Sequence, residues 1–411
     1  MNAALQRHDH TARADFVVEL ASRLHAYGTT AHRLEGSVTA VAAKLGMECG
    51  AWSNPTGMIL SFGEAGGRRD TVRVVRLLPG ETDLYKLCEV DRVAEDVMSG
   101  ALDLEAGHAA LRALDRAASW RGKAISIFAF GLCAAAVAGL WRLPWLDIAT
   151  AGFTGLLLGL LDWATKNRPR LKEASDAIAA MFAGVVAVLV ASLIGPLNLN
   201  TVIISSLIVL MPGMTLTNAV NELTNQNLVS GTARFAGAMS TILKLAIGMT
   251  VALTAAEMAG IQPQIRALRP QPDWVEGLAL VLGTYAFAVL FRTGRRDYPL
   301  VMLSAATGYL ISRFVGGEWG STVGIFVAAL AMTALGNGYA RWFNRPGALV
   351  RLPGIIMLVP GSASLRGLLA LVQQQNMEAG QAAMVAALNI LLALVAGLLF
   401  GNILIPTRRN L

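Results

Sequence analysis

From about residue 124 onward the chain runs as long apolar stretches separated by short polar joints, and this limits its folds more than any other feature. A membrane helix needs about 20 mostly apolar residues, because the hydrocarbon core is about 30 Å thick. Several stretches reach that length, and a soluble helical core does not need so many in series. The sequence therefore predicts a polytopic α-helical membrane protein with ten transmembrane helices. The first five lie at about 124–141, 146–163, 176–194, 199–213 and 233–258. The second five lie at about 274–291, 298–314, 321–340, 348–360 and 381–405. Composition agrees, with 55% apolar and 15% charged residues, where soluble domains carry roughly 25% charged.

Charge divides the chain. Residues 1–120 hold 13 Lys/Arg against 16 Asp/Glu, and residues 121–411 hold 21 against 11, for the net +7. The first 120 residues therefore read as a small α+β domain of order ααβββαα. Helices are expected at Ala14–Tyr27 and Ala31–Leu45, stopped by Gly28 and Gly46. Strands follow at Met47–Ser53, Gly57–Phe62 and Thr71–Leu77, with a turn at 64–67. Two more helices are expected, near Leu84–Met98 and Asp103–Ser119. No signal-peptide pattern precedes the first span, so this domain is expected in the cytoplasm. Cys49, Cys88 and Cys133 have no metal-ligand spacing, which suits a reducing compartment. His8-Asp9-His10 is a weak metal pattern in a terminus. No G-x-S-x-G, P-loop or Ser/His/Asp set is present, so no cofactor, metal or enzymatic activity is expected.

The two groups of spans superpose at an offset of 148 residues. Pro212-Gly213 falls on Pro360-Gly361, and Asn225-Gln226-Asn227 on Gln373-Gln374-Gln375. Five spans per repeat is odd, so the second repeat must start on the opposite side. This predicts inverted five-helix repeats over residues 121–262 and 270–407. The positive-inside rule orients them. Fifteen Lys/Arg fall in joints on the side of residues 1–120, and five (Arg142, Arg266, Arg269, Arg313, Arg366) fall opposite. Both termini are thus expected in the cytoplasm, and the positive charge is explained without a nucleic-acid partner.

The fourth and ninth spans break early. Pro212-Gly213 leads into Thr215, Thr217, Asn218, Asn221 and Glu222. Pro360-Gly361 leads into Ser362, Ser364 and Arg366. Pro removes a backbone donor and Gly permits a bend. In hydrocarbon, such a break is tolerated where it lines a cavity or packs in protein, and paired breaks mark a transport site. A half-helix starting after a break suits a carboxylate, and hydroxyls of Thr215, Ser362 and Ser364 suit a polar side chain. These residues are the candidate substrate site. Lys244 lies ten residues beyond Arg234, at a depth where an ionisable group needs a partner or a cavity. Glu222 is the candidate partner or proton carrier. Asn337 and Asn389 read as polar glue between helices. Arg33 and Glu35 are two apart, so they do not face each other on a helix. They read either as solvated or capping charges, or as a docking contact to the membrane part.

The order Tyr27-Gly28, Arg33-x-Glu35, Asn54-Pro55-Thr56, Leu78-Pro79-Gly80 and the paired Pro-Gly segments resembles the threonine/serine exporter family, over about residues 15–405. The resemblance implies a cytoplasmic N-terminal domain before ten inner-membrane helices. It also implies export of threonine and serine driven by proton antiport, and leaves a homo-oligomer open. The expected partners are therefore a small amino acid, protons and membrane lipid. Split-subunit relatives include a pair associated with succinate export, so a dicarboxylate held by Arg366 and Lys244 is an alternative cargo. A reading of another class makes residues 1–120 a membrane-anchored hydrolase or sensor. An anchor, however, has no need of internal symmetry.

Overall fold

The computed structural model describes residues 2–64, 69–115, 119–166, 168–265, 270–359, 361–372 and 377–406. The N-terminal domain contains α1 (Asn2–Ala26), α2 (Ala31–Lys44), β1 (Met47–Asn54), β2 (Gly57–Glu64), β3 (Arg69–Arg76), α3 (Leu84–Met98) and α4 (Leu104–Ala113). This is the expected order. Helix α1 starts well before Ala14, since no Pro or Gly interrupts residues 2–14. The strands form an antiparallel meander in the order β1-β2-β3. Asn54 closes its first hairpin by accepting from the Thr56 N–H at 2.9 Å, a local turn bond that Asn makes readily. The expected 64–67 turn falls largely outside the described residues. Asp83 and Asp103 cap α3 and α4 by accepting from the N–H groups of Lys86 and Ala106. Phe16, Leu20, Leu34, Leu60, Phe62, Leu84 and Leu111 fill the core, which runs without interruption into Phe287, Phe291, Ala348 and Leu349 of the membrane part.

Among the described residues, eight helices are long and apolar enough to cross a membrane. They are α5 (Trp120–Leu140), α6 (Trp145–Thr165), α7 (Pro169–Leu193), α10 (Leu228–Met258), α11 (Asp273–Leu290), α12 (Tyr298–Trp319), α13 (Ser321–Phe343) and α16 (Met377–Leu404). Each of the other two expected spans is a pair of short helices, broken as expected. The first is α8 (Leu199–Ser206), a 3-10 turn at Ile208–Leu210, and α9 (Gly213–Thr224). The second is α14 (Ala348–Ile356) followed by α15 (Gly361–Val372). Eight residues of α8 rise only about 12 Å, too little to cross. The chain bends by 55° between Leu199–Ser206 and the segment Ile208–Thr224, and within that segment Pro212 cannot donate to the helix ladder.

The same sequence of three long helices, two short ones and one long one occurs twice, with matching partners. Helix α5 packs on α6 as α11 packs on α12; α7 on α10 as α13 on α16; α9 on α10 as α15 on α16; α6 on α8 as α12 on α14. Backbone detail repeats too. Arg142 and Arg292, just past the ends of α5 and α11, both adopt positive φ, 55° and 50°. Each is followed by a residue whose N–H donates back five positions, Leu143 to Ala138 and Thr293 to Ala288, as in a Schellman cap. These arginines are 150 residues apart and the two Pro-Gly pairs 148. The repeats therefore align with a small shift rather than at one constant offset.

Short helices cross between the sets. Leu365 and Leu369 of α15 join the core of α6, α7, α8 and α10, while Leu216 of α9 meets Leu391 of α16. Interfaces rely on small residues, which let helices approach where hydrocarbon supplies no hydrophobic drive. A Cβ at Gly248 of α10 would run into the Ala177 carbonyl of α7. Asn337 joins α13 to α16, donating to Asn402 Oδ1 at 2.9 Å and to the Ile405 carbonyl at 2.7 Å. Asn389 does not act as glue; it is exposed.

The N-terminal domain docks on one face of this bundle. The first N–H groups of α3, on Leu84 and Tyr85, donate to the carbonyls of Phe291 (2.9 Å) and Arg292 (3.3 Å). The orphan donors of one helix start thus meet the orphan acceptors of another helix end. Arg292 also pairs with Glu81 at 2.8 Å. At the far face, the Leu197 N–H donates to the Gln264 carbonyl at 3.0 Å, and Arg142 pairs with Asp273.

Candidate functional site

The two helix breaks touch. A Cβ at Gly213 would meet the Val359 side chain and lie 3.5 Å from the Gly361 nitrogen. A Cβ at Gly361 would lie 3.1 Å from Met211 Cβ and 3.5 Å from Gly213 Cα. A side chain at either position would press on Val359 or Met211, so glycine suits both. Beside this contact is a cavity of about 360 Å³, lined by Met211, Gly213, Thr215, Val359 and Gly361, and on its domain side by Glu81, Thr82 and Arg292. Thr215 faces it. Thr217 does not offer a free hydroxyl: its Oγ1 donates to the Gly213 carbonyl at 3.1 Å, within its own helix. Ser364 is buried and already engaged. Pro360 and the side chain of Ser362 fall outside the described residues. Arg366 is exposed and lies over the Trp141 ring, 4.4 Å from its centroid, at the end of α5 away from the N-terminal domain.

A second cavity, of about 120 Å³, sits at the seam with the N-terminal domain. Tyr27, Thr29, Thr30 and Arg33 form one wall. Thr217, Asn218, Asn221 and Glu222 of α9 face them, with Arg351 of α14 and Asn402 of α16. Met214 and Thr82 line both cavities. Arg33 thus stands against the membrane part. Glu35 points elsewhere: its Oε1 accepts from the Ser53 N–H at 2.7 Å and the Ser53 hydroxyl at 3.1 Å, tying α2 to β1.

Glu222 is 1% exposed. Its carboxylate accepts from three donors: the Ala31 N–H at 2.9 Å, the Ser230 hydroxyl at 2.7 Å, and Arg234 Nε at 3.0 and 3.1 Å. The donors Ser230 and Arg234 are four residues apart, so they share a face of α10. The expected Glu222–Lys244 pair does not form. Lys244 Nζ lies 3.8 Å from Asp176 Oδ2 on α7, with 39% of its side chain exposed. Arg234, nearer the helix start, reaches Glu222 first. In the sequence Arg234 serves as a depth marker and as one of the fifteen charges on the domain side, and its i,i+4 spacing from Ser230 is the signal for this pairing.

Asp147 was also missed. It is fully buried near the start of α6, and its Oδ2 accepts from the Asn198 backbone N–H (3.3 Å) and side-chain amide (2.7 Å). Its position in a first helical turn is a cue for a carboxylate. Among the described residues no group of three or more His, Cys, Asp or Glu could hold a metal ion; His8 and Asp9 fall among the side chains left undescribed.

Residues 15–256 match a family model described as a threonine/serine exporter, and residues 276–404 match a second model so described. The chain is also similar to pheromone-regulated membrane protein 10 of three yeasts. The Pichia sorbitophila protein is 26% identical over 385 residues, covering 90% of this chain and 38% of that protein. The Candida glabrata and Saccharomyces cerevisiae proteins are each 26% identical, covering 90% of this chain and 48% of theirs. The chain thus spans less than half the length of these relatives. No solved structure matches it.

Proposed function

Because this chain belongs to the threonine/serine exporter family, we propose that it exports threonine and serine across the cytoplasmic membrane by proton antiport and alternating access. The observation that carries this reading is the contact between Gly213 and Gly361. Two half-helices begin at that contact, and their first N–H groups have no acceptor in the preceding turn. Their partial positive charge suits the carboxylate of a small zwitterion, and Thr215 is placed to bond a side-chain hydroxyl.

The two broken pairs run in opposite senses. Helices α8 and α9 end at the N-terminal domain, where Glu222 meets Ala31. Helices α14 and α15 start there and end towards Trp141. This supports inverted repeats that rock about the shared contact. With the N-terminal domain in the cytoplasm, the larger cavity opens towards the cytoplasmic side. Glu222 is the proposed proton acceptor. Protonation removes its charge and occupies one of its two oxygens, which ends the ion pair with Arg234, so proton entry loosens the seam between domain and bundle. The dicarboxylate arrangement loses its basis, because Arg366 stacks at the far end of α5 and Lys244 pairs with Asp176.

The test is loss of labelled threonine from preloaded cells with and without the protein, with succinate as competitor. Faster loss, slowed about tenfold by Thr215→Val, is expected; one charge-free hydrogen bond is worth about 0.5–1.5 kcal/mol. Equal loss with and without the protein excludes this cargo.

A further inference from the structure

We propose that the smaller cavity, at the seam between the N-terminal domain and α9, α14 and α16, is a carboxylate-binding vestibule anchored by Arg33. For its ligand, the α-carboxylate of a small amino acid, this rests on the exporter reading; the anion site itself rests on the geometry below.

Arg33 lines the cavity, and its guanidinium has no hydrogen-bond or ion-pair partner among the described residues. The nearest carboxylates are committed elsewhere: Glu35 to Ser53, and Glu222 to Arg234, Ser230 and Ala31. Burial without an anion pushes the Arg33 pKa down, to about 10, the direction expected when desolvation disfavours a charge.

One other unsatisfied group belongs to the same wall. The hydroxyl of Thr29 is buried and makes no hydrogen bond. Unpaired buried polar groups are uncommon because each costs free energy. Two in the wall of one cavity, Arg33 and Thr29, mark a place where a polar ligand supplies the missing partner. Helix α2 starts here as well, and Thr30 makes no side-chain cap. Ala31 donates to Glu222, while the N–H groups of His32 and Arg33 bond to no described residue, leaving the helix N-terminus open to an anion.

A guanidinium, a hydroxyl and a free helix start are all suited to bind a carboxylate. Opposite them, Asn218 and Asn221 of α9 present amides to the rest of a small molecule. Thr82 and Met214 separate this space from the larger cavity at the helix breaks. Cargo held on Arg33 is therefore one step from the Gly213–Gly361 contact.

The test uses the purified full-length chain and labelled threonine, with threoninol, acetate and succinate as competitors. Threoninol lacks the carboxylate. Arg33→Met is expected to raise the half-saturating threonine concentration at least tenfold and to abolish the preference for threonine over threoninol. Arg33→Lys should recover part of both, and Arg92→Ala, on the outer surface, should change neither. Wild-type affinity and unchanged discrimination in folded Arg33→Met overturn the vestibule while leaving the exporter reading standing. Arg33-dependent binding of acetate or succinate, with no binding of threonine, supports the anion site and overturns the cargo. Should the wild-type chain bind none of these carboxylates, the proposal fails.

Discussion

Glu222→Ala detaches the N-terminal domain from α9 and lowers stability by about 3–5 kcal/mol, the usual cost of breaking a buried ion pair from one side. The loss is large because the carboxylate serves three donors at once. Its removal leaves the Arg234 charge buried without a counter-ion and strips acceptors from Ala31 and Ser230. Glu222→Gln keeps the shape and one acceptor oxygen, so it should cost less. Replacing Glu222 and Arg234 together by Met should recover much of the loss, since no unpaired charge remains.

Cys88 of α3 reports the docked state. Burial at the seam near Asp297 pushes its thiol up to about 12, although Arg345 opposes the shift. Thiols react as thiolates, so in the docked protein Cys88 is alkylated slowly at neutral pH. Once the domain detaches, its pKa falls towards the ordinary value and alkylation speeds up. Melting temperature and Cys88 alkylation should move together in Glu222→Ala. If both match the wild type, Glu222 does not hold the seam.

The second large effect concerns backbone contact. A Cβ at Gly308 of α12 would enter the carbonyl of Gly354, in the half-helix just before the second break. The obstacle is backbone, so no side chain can rotate aside. Gly308→Ala is expected to push α14 outward and destabilise by about 1–3 kcal/mol, as overpacking does. Gly317 lies in the same helix with nothing within 4 Å of an added Cβ. Gly317→Ala should be neutral or should stabilise by about 0.5–1 kcal/mol, through the better helix propensity of Ala. Thermal unfolding of the two variants side by side checks this. Equal effects would mean that the α12–α14 contact is not tight.

Where local chemistry sets structure, the sequence was readable. Hydrocarbon thickness dictates the long helices, so apolar length alone located all eight. Gly28 and Gly46 punctuate α1 and α2, and Asp83 and Asp103 cap the later helices. The Pro-Gly pairs marked both breaks correctly. What they could not reveal was length: α8 and α14 are each too short to cross alone.

Pairing across the fold was harder to read. Ala31 and Glu222 are 191 residues apart, and nothing near either one names the other. Lys244 was assigned by depth along an isolated helix, whereas Asp176 sits on the neighbouring α7. The spacing of Arg33 and Glu35 showed that they diverge, but the docked bundle decides what each one meets. Arg366 looked like a site residue by its distance from Pro360; the turn of α15 carries it to Trp141 instead.

The most direct test of the account uses the purified full-length chain in liposomes loaded with labelled threonine, with and without an acidic exterior. The account predicts that the protein accelerates threonine loss, that an acidic exterior accelerates it further, and that Thr215→Val slows it. Loss at the rate of protein-free liposomes under both conditions would contradict it.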